Sequence, residues 1–401
     1  MAGKICMNAT MKECGSNIDM GCIRWSEQLP EEIMHLFLER LCISDYLHCR
    51  QVCRSWRNAV RRAIASKCCR PATELPWLVP DDIYAFNLSD KKIVKGKPKS
   101  LLYQMKISQR CVGSIEGWLI VVKKVYGEHN NISFLNPVSR ARVMLPPTSR
   151  WLTDFSYRKV VASTVPTSSQ CIVACISCEE KLAFCRPSDK SWTKIDSWTS
   201  FSDLEIVERK LYAITNNKLM MMFDIIIEDA DASGNGSSGL RYRAERQVSL
   251  YPKPCCITVS EIMLRVECYL VKDSTSKELF IIVVKCSSAS NCSNFERSET
   301  IQRVQMFKVE LVNNGVRWEE VVDLSARILF LSKTRNAFIY NVDSSSDITA
   351  LQRNCICIAH DDRLCSNLEV LSLTDKSIKP YDTSPLKAYI SGSFWFTPNP
   401  W

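Results

Sequence analysis

The apolar residues of this chain change their period once, near Pro71, and that change restricts the fold to a small helical unit followed by a large β-rich one. From Ser26 to about Ser66 the spacing is helical, and no Gly or Pro interrupts the stretch from Glu31 to Cys69. Leu29-Pro30-Glu31-Glu32 has the form of a helix start. Proline already holds the backbone angle of a first turn, and the two acids sit at the positive end of the helix dipole. Ile33, Leu36, Phe37 and Leu41 follow at spacings of three, one and four, which gives one apolar face. Ser44-Asp45 is expected to cap a second helix with Leu47 facing inward. In the segment from Cys49 to Arg57, Val52, Cys53 and Trp56 are expected on one side and arginines on much of the other. The residues before Ser26 are expected to be a disordered tail (1–25), and 67–73 a linker.

Beyond Pro71, short runs rich in Val, Ile, Phe and Tyr alternate with turn residues. Gly117–Val122, Cys171–Ile176, Leu211–Ile214, Glu278–Val284 and Cys355–Ile358 are examples. Such spacing points to a sandwich, barrel or propeller. A segment of this length overfills one sandwich but matches six or seven propeller blades of about 40–50 residues each. A degenerate repeat supports blades: Val143–Pro147, Ser191–Ile195 and Arg317–Val321 carry similar Trp or Pro marks. The first two lie about one blade apart, the third two to three blades further on. Asp229–Gly239 and Ser287–Thr300 are polar and read as surface insertions. The aromatic end, Phe394 to Trp401, is expected to pair as the strand that closes the ring, because an open ring exposes a sheet edge.

Composition narrows the chemistry. The 21 cysteines among 401 residues are an odd number, and the N-terminus lacks the apolar core of a secretory signal. No apolar run approaches the ~18 residues of a membrane span. The thiols are therefore expected in a reducing cytoplasmic and/or nuclear setting, buried as small hydrophobes. Cys175 and Cys178 form a lone CxxC. A structural zinc site needs four ligands, and His35, His48, His129 and His360 are scattered, so no metal or cofactor is expected. No nucleophile elbow, phosphate-cradling glycine loop or metalloprotease motif occurs. Asp361-Asp362 beside His360 is the single acid–base-like cluster and reads as a turn. The net charge of +9 has its densest stretch between Lys91 and Lys99, a solvated loop or an import signal. It lacks interleaved aromatics, which argues against nucleic acid as a partner.

Three helices of ~40 residues cannot bury all of their apolar surface internally, so part of it must face a partner or the β unit. The order Leu29-Pro30-Glu31-Glu32-Ile33, then Leu47, then Val52-Cys53-Arg54-Ser55-Trp56 resembles the F-box, over residues 26–66. Residues from roughly 70 to 399 resemble the propeller of plant F-box proteins of the KIB type, which implies a propeller domain over 74–401. The resemblance is carried by Pro76-Trp77-Leu78, Gly113–Leu119, Leu135-Asn136-Pro137, Leu145-Pro146-Pro147, Tyr269-Leu270-Val271, Trp318–Val321, Asn354-Cys355-Ile356 and Trp395–Pro398. Departures are the Gly-rich loop at 229–239 and Ser325-Ala326-Arg327 at a family turn. The fold so implied is a three-helix F-box followed by a kelch-like β-propeller.

In such proteins the F-box docks on a Skp-type adaptor, and through it on cullin, while the propeller holds a protein target. The resemblance assigns adaptor binding to Leu29, Pro30, Ile33, Leu47, Val52, Cys53 and Trp56. It implies a non-catalytic substrate receptor of a ubiquitin ligase, with no membrane partner. The rival reading is a binding or scaffold protein that assembles no ligase.

Overall fold

A computed structural model describes residues 30–66, 74–79, 84–95, 109–123, 131–148, 158–228, 239–250, 264–290, 297–312, 315–332, 335–342, 351–359, 368–382 and 393–399. The chain divides into two compact units, 1–72 and 73–401.

The described residues of the first unit form three helices, α1 (Glu31–Arg40), α2 (Ile43–Val52) and α3 (Arg54–Ser66). Pro30 caps α1 with φ −54°, and its carbonyl accepts from Met34 N at 3.1 Å. The cap of α2 is Cys42, not Ser44-Asp45: the Cys42 Sγ accepts from Asp45 N at 3.4 Å, and Ser44 lies inside the helix. Cys53 is fully extended, with φ −157° and ψ 179°. It therefore separates α2 from α3, and Val52 and Trp56 belong to different helices rather than to one side of a single one. The small core is Leu38, Tyr46, Cys49, Val60 and Ala63, with Leu41, Trp56 and Ile64 packed on it.

The second unit is six sheets, and their order makes a six-bladed propeller. Blade 1 is β1 (Trp77–Val79), β2 (Tyr84–Asn87) and β3 (Lys92–Lys95) with β25 (Phe394–Phe396) on its inner side. Blade 2 is β4 (Gln109–Ile115), β5 (Trp118–Lys123), β6 (Asn131–Leu135) and β7 (Arg142–Met144). Blade 3 is β8 (Lys159–Ala162), β9 (Val173–Ile176), β10 (Leu182–Cys185) and β11 (Thr193–Lys194). Blade 4 is β12 (Phe201–Val207), β13 (Lys210–Thr215), β14 (Leu219–Glu228) and β15 (Gly239–Ser249). Blade 5 is β16 (Arg265–Lys272), β17 (Leu279–Ser290), β18 (Arg297–Val312) and β19 (Gly315–Glu320).

Blade 6 is irregular. Its five strands, β20 (Arg327–Ser332), β21 (Ala337–Asn341), β22 (Cys355–Ala359), β23 (Leu368–Ser372) and β24 (Ile378–Tyr381), run in the order β21-β20-β22-β23-β24. Within it β20 and β22 are parallel.

Alternation along each strand feeds two cores at once. In blade 3, Cys171, Val173 and Cys175 pack with blade 2, while Ile172, Ala174 and Ile176 pack with blade 4. In β22, Cys355 and Cys357 face blade 1, and Ile356 and Ile358 face blade 5. The three sequence marks prove equivalent: Leu145, Ile195 and Val321 each donate N–H back to the third strand of their own blade, at Ile132, Leu182 and Met306. They end the fourth strands of blades 2, 3 and 5. Ser287–Ser290 and Arg297–Thr300 continue the β17–β18 ladder as an extension of that hairpin, Ser287 opposite Thr300 and Ser290 opposite Arg297. Residues 229–238 lie outside the described residues.

The C-terminal strand closes the ring. β25 pairs with β1, Trp77 opposite Phe396 and Val79 opposite Phe394. Trp395 is fully buried and holds three blades. Its indole N–H donates to Leu331 O of blade 6 at 2.9 Å and its backbone N–H to Asn336 Oδ1 at 3.0 Å, while its carbonyl accepts from Ser114 Oγ of blade 2 at 2.5 Å. Its ring meets Phe330 edge-on at 4.9 Å between centroids. The chain then runs on to Asn399, whose carbonyl accepts from Asn136 Nδ2 at 2.9 Å. Gly117, at φ +86°, sits so close to Asn399 that any Cβ there would collide with it.

Across the ring, charge does comparable work. Lys159 of β8 and Asp203 of β12 form a buried ion pair at 2.7 Å. Asp203 Oδ2 also accepts from Leu270 N of β16 at 2.7 Å, and Lys159 Nζ donates to Leu270 O at 3.3 Å. Lys272 reaches back from β16 to the carbonyls of Ala162 and Ser163, at 3.3 and 3.1 Å. Blades 3, 4 and 5 are thus tied through their inner strands.

Two outcomes follow from these ties. Trp395→Ala is expected to lower the unfolding free energy by about 3–5 kcal/mol, the usual cost of deleting a buried large aromatic. Urea denaturation followed by circular dichroism measures it, and a loss below about 1 kcal/mol would show that closure resides elsewhere. Asp203→Ala strands the Lys159 ammonium and is expected to cost about 3–5 kcal/mol, whereas Lys159→Met with Asp203→Leu recovers part of it, the remainder reflecting the Leu270 N–H and carbonyl left without these partners. Equal losses in the single and double variants would contradict the pairing.

Candidate functional site

The helical unit has more apolar surface than its core absorbs. Five of the ten α1 residues, Ile33, Met34, Leu36, Phe37 and Leu38, are large and apolar. Met34 and Leu38 go inside, at 2% and 0% exposure. On the adjoining face Ile33, Leu36 and Phe37 remain exposed at 40%, 53% and 52%, separated by three and one residues and hence neighbours on the helix surface. At the end of α2, Val52 is exposed at 64%. Apolar side chains grouped on a small helical surface are what a partner interface supplies before the partner arrives.

The residues singled out in the sequence separate accordingly. Ile33 and Val52 are exposed, and Pro30 is exposed at the helix cap. Cys53 is half-buried between helices, and Trp56 is half-buried against the core rather than on the surface. Leu29 lies outside the described residues, as does the side chain of Leu47. Leu36 and Phe37, noticed as apolar but not assigned to the site, join Ile33 on the exposed face. Their signal was available: a helix apolar over more than half its circumference has two surfaces to cover, and a three-helix core covers only one.

α3 has a different character. Ala59, Val60 and Ala63 are buried, and Arg54, Arg57 and Arg61 emerge on the opposite side, exposed to solvent.

In the propeller the buried charged side chains Lys159, Asp203 and Glu205 each find polar partners, whereas the buried indole N–H of Trp118 has none. Glu205 is enclosed, its carboxylate accepting from Ile206 N at 2.9 Å and lying 3.9 Å from Lys272. Burial raises its pKa above the usual carboxylate range, against the pull of Lys272 and Lys159. The strand cysteines are poor nucleophiles for the same reason. Burial pushes the Cys171 thiol up to about 11, and it raises Cys175, Cys185 and Cys357 as well. Cys175 lies in β9 and Cys178 in the following turn, and among the described residues no three potential metal ligands converge. Lys92 lies in β3 and Lys91 stands 5.3 Å over the Tyr381 ring. Residues 96–99, the cluster at His360 to Asp362, and Cys6, Cys14, Cys68 and Cys69 lie outside the described residues. Among the described residues no helix is long and apolar enough to cross a membrane.

The comparisons agree with this division. The F-box domain family matches residues 26–70, and the family described as KIB1-4 beta-propeller matches residues 85–382. Putative F-box protein At5g66830 of Arabidopsis thaliana is 23% identical over 328 residues, covering 77% of this chain and 75% of its own. Putative F-box protein At5g55150 of the same plant is 26% identical over 316 residues, covering 77% and 78%. F-box protein SKIP23, also from Arabidopsis thaliana, is 25% identical over 241 residues, covering 50% and 56%. With an N-terminal helical unit on one family and a six-bladed ring on the other, the chain belongs to the F-box proteins that carry a KIB1-4 β-propeller.

Proposed function

We propose that this chain is the substrate-recognition subunit of an SCF-type cullin ubiquitin ligase. The helical unit binds the Skp-type adaptor, and the ring binds a protein target. The observation that carries the reading is the exposed Ile33, Leu36 and Phe37 face on a unit too small to use it internally. Adaptor contact is assigned to that face together with Leu29, Pro30, Leu47 and Val52. Cys53 and Trp56 contribute from behind by holding α2 and α3 in register. The mechanism is positional. Holding target lysines beside an activated ubiquitin ester turns a bimolecular transfer into a nearly unimolecular one, and the receptor supplies no nucleophile. The domain limits that go with this reading are 26–66 for the F-box and 74–401 for the propeller, in a cytoplasmic and/or nuclear protein.

The test is reconstitution with a plant Skp-type adaptor and cullin. Changing Ile33, Leu36 and Phe37 to Ser is expected to weaken adaptor binding at least thirty-fold, as loss of interface anchors does, with an unchanged circular dichroism spectrum. Unaltered affinity would overturn the interface. Adaptor binding without cullin recruitment would favour the scaffold reading instead.

The thiols provide a second test. A cysteine that carries ubiquitin must be a ready thiolate, which needs a nearby cation, helix N-terminus or metal. Burial disfavours thiolate in the strand cysteines. In a reconstituted reaction run without reductant, no reductant-sensitive ubiquitin adduct is expected on this chain. A stoichiometric adduct abolished by one Cys→Ser change would overturn the receptor mechanism.

A further inference from the structure

The two faces of the ring differ in what covers them. In blades 2 to 5 the four strands run antiparallel, so second-to-third-strand turns and fourth-to-first-strand connections share one face. The opposite face takes the turn at Glu116-Gly117 and the loop after β6, and Asn399 of the chain's own C-terminal segment is seated there. On the first face, in the connection from β11 to β12, stands Trp198. It is exposed at 104%, touching essentially nothing of its own chain, and it is the one exposed aromatic among the described residues of the propeller.

Its backbone is held rather than loose. Lys181 Nζ donates to the carbonyls on both sides of Trp198, Ser197 O at 3.1 Å and Thr199 O at 3.3 Å. Thr199 N donates to Ser197 Oγ at 3.2 Å. Asp196 N donates to Tyr242 OH at 3.0 Å, and the Tyr242 ring is wedged edge-on between Phe184 and Phe223. Ile195 and Phe201 pin the two ends of the connection in the core, at 1% and 0% exposure. A large apolar side chain left in water on a prearranged backbone loses little ordering entropy when a partner receives it.

We propose that Trp198 is the anchor through which the ring grips a folded protein target, its indole entering an apolar pocket on that target. The inference rests on the receptor reading above and adds the binding face and the chemistry of the contact. A side chain that protrudes completely requires a concave partner, which a short extended peptide does not offer. Exposed polar residues of the same connection and of the second-to-third-strand turns on that face, Asp196, Glu179, Asn216 and Asn217, have the character of an interface rim. That rim is unsuited to phosphate-bearing partners. The ammonium of Lys181, which bridges the two residues flanking Trp198, is committed to their carbonyls, and Arg158 is ion-paired with Glu180.

The experiment places the photo-cross-linking residue p-benzoylphenylalanine at position 198 of the full chain, or at Val322 as an exposed control (69%), in plant cells with the proteasome blocked. The expected result is a protein adduct at 198 and not at 322. The captured protein, identified by mass and purified, is expected to bind Trp198→Ala at least thirty-fold more weakly than wild type. Val322→Ala should change affinity less than three-fold. The inference is overturned by no adduct at 198, by an adduct to nucleic acid, or by a captured protein that binds Trp198→Ala as tightly as wild type. The two readings fail separately. A target ubiquitinated equally by the Trp198→Ala chain removes Trp198 and keeps the receptor. A target bound through Trp198 whose ubiquitination ignores the Ile33, Leu36 and Phe37 variant keeps Trp198 and removes the receptor.

Discussion

Everything in the β unit depends on the closure made by Trp395. A propeller blade buries its two faces only against its neighbours, so a ring with one open seam exposes apolar side chains on both sides of the gap. Here the seam lies where the C-terminal strand joins a blade otherwise built from the first strands of the unit. Pairing of β25 with β1 supplies backbone hydrogen bonds but no specificity for which blades meet. Trp395 supplies that, because its indole, amide and carbonyl are each satisfied by a different element on either side of the seam. Lys159 and Asp203 perform the corresponding task across blades 3 to 5. A buried ion pair brings little net stability over an apolar substitute. It does tolerate only one register, since a one-residue slip of β12 would strand a charge.

A closed ring makes a rigid platform, and rigidity decides where function resides. Buried strands are fixed in cores shared with two neighbours, so variation is confined to the turns. The turns of this protein are unusual in composition. Among the described residues, eleven non-glycine residues hold positive φ, including Glu116, Glu180, Glu208, Lys218 and Lys376, against one glycine, Gly117. Charged residues in the left-handed region cost on the order of 1–2 kcal/mol each, and the packed blades on either side enforce the geometry. Such turns are poorly suited to loose sampling of partners. The connection carrying Trp198 follows the same pattern: flanking core residues and a bridging lysine set the backbone, and the one large apolar side chain projects from it.

The turn chemistry also explains what the sequence withheld. The change from helical to β period was plain because it depends on side-chain spacing alone, and the aromatic terminus was recognisable as a closing strand because rings so dense must be buried. The marks at Leu145, Ile195 and Val321 were visible because each blade ends its fourth strand in the same way. Blade number stayed between six and seven because the usual glycine punctuation is absent, its place taken by Glu, Lys and Arg. The polar Ser287–Thr300 stretch looked like an insertion for a related reason. Its strands are sustained by a ladder extending beyond β16, whose own register stops at Cys286, and polar composition does not reveal a ladder. In the helical unit the error was one of faces. Spacing showed that Ile33, Leu36 and Phe37 lie together, but only packing shows that Met34 and Leu38 take the core and leave them outside. Cys53 was legible as part of the motif, but not as the extended residue that splits α2 from α3.

The two units stand in different thermodynamic positions. The ring has cores shared by neighbouring blades from blade 2 round to blade 1, and a latched seam. Among its described residues the helical unit buries eight apolar side chains, Met34, Leu38, Ile43, Tyr46, Cys49, Ala59, Val60 and Ala63, and keeps a neighbouring apolar face in water. At this size the surface left exposed is large relative to what is buried, and the balance against chain entropy is narrow. A partner that covers Ile33, Leu36 and Phe37 binds the folded helices and not the unfolded ones, so its binding free energy adds directly to their stability. In the proposed receptor, adaptor binding and helical folding would draw on the same free energy. On the proposed adaptor reading, a substitution that weakens the core, at Tyr46 or Val60, is expected to weaken assembly without touching the interface.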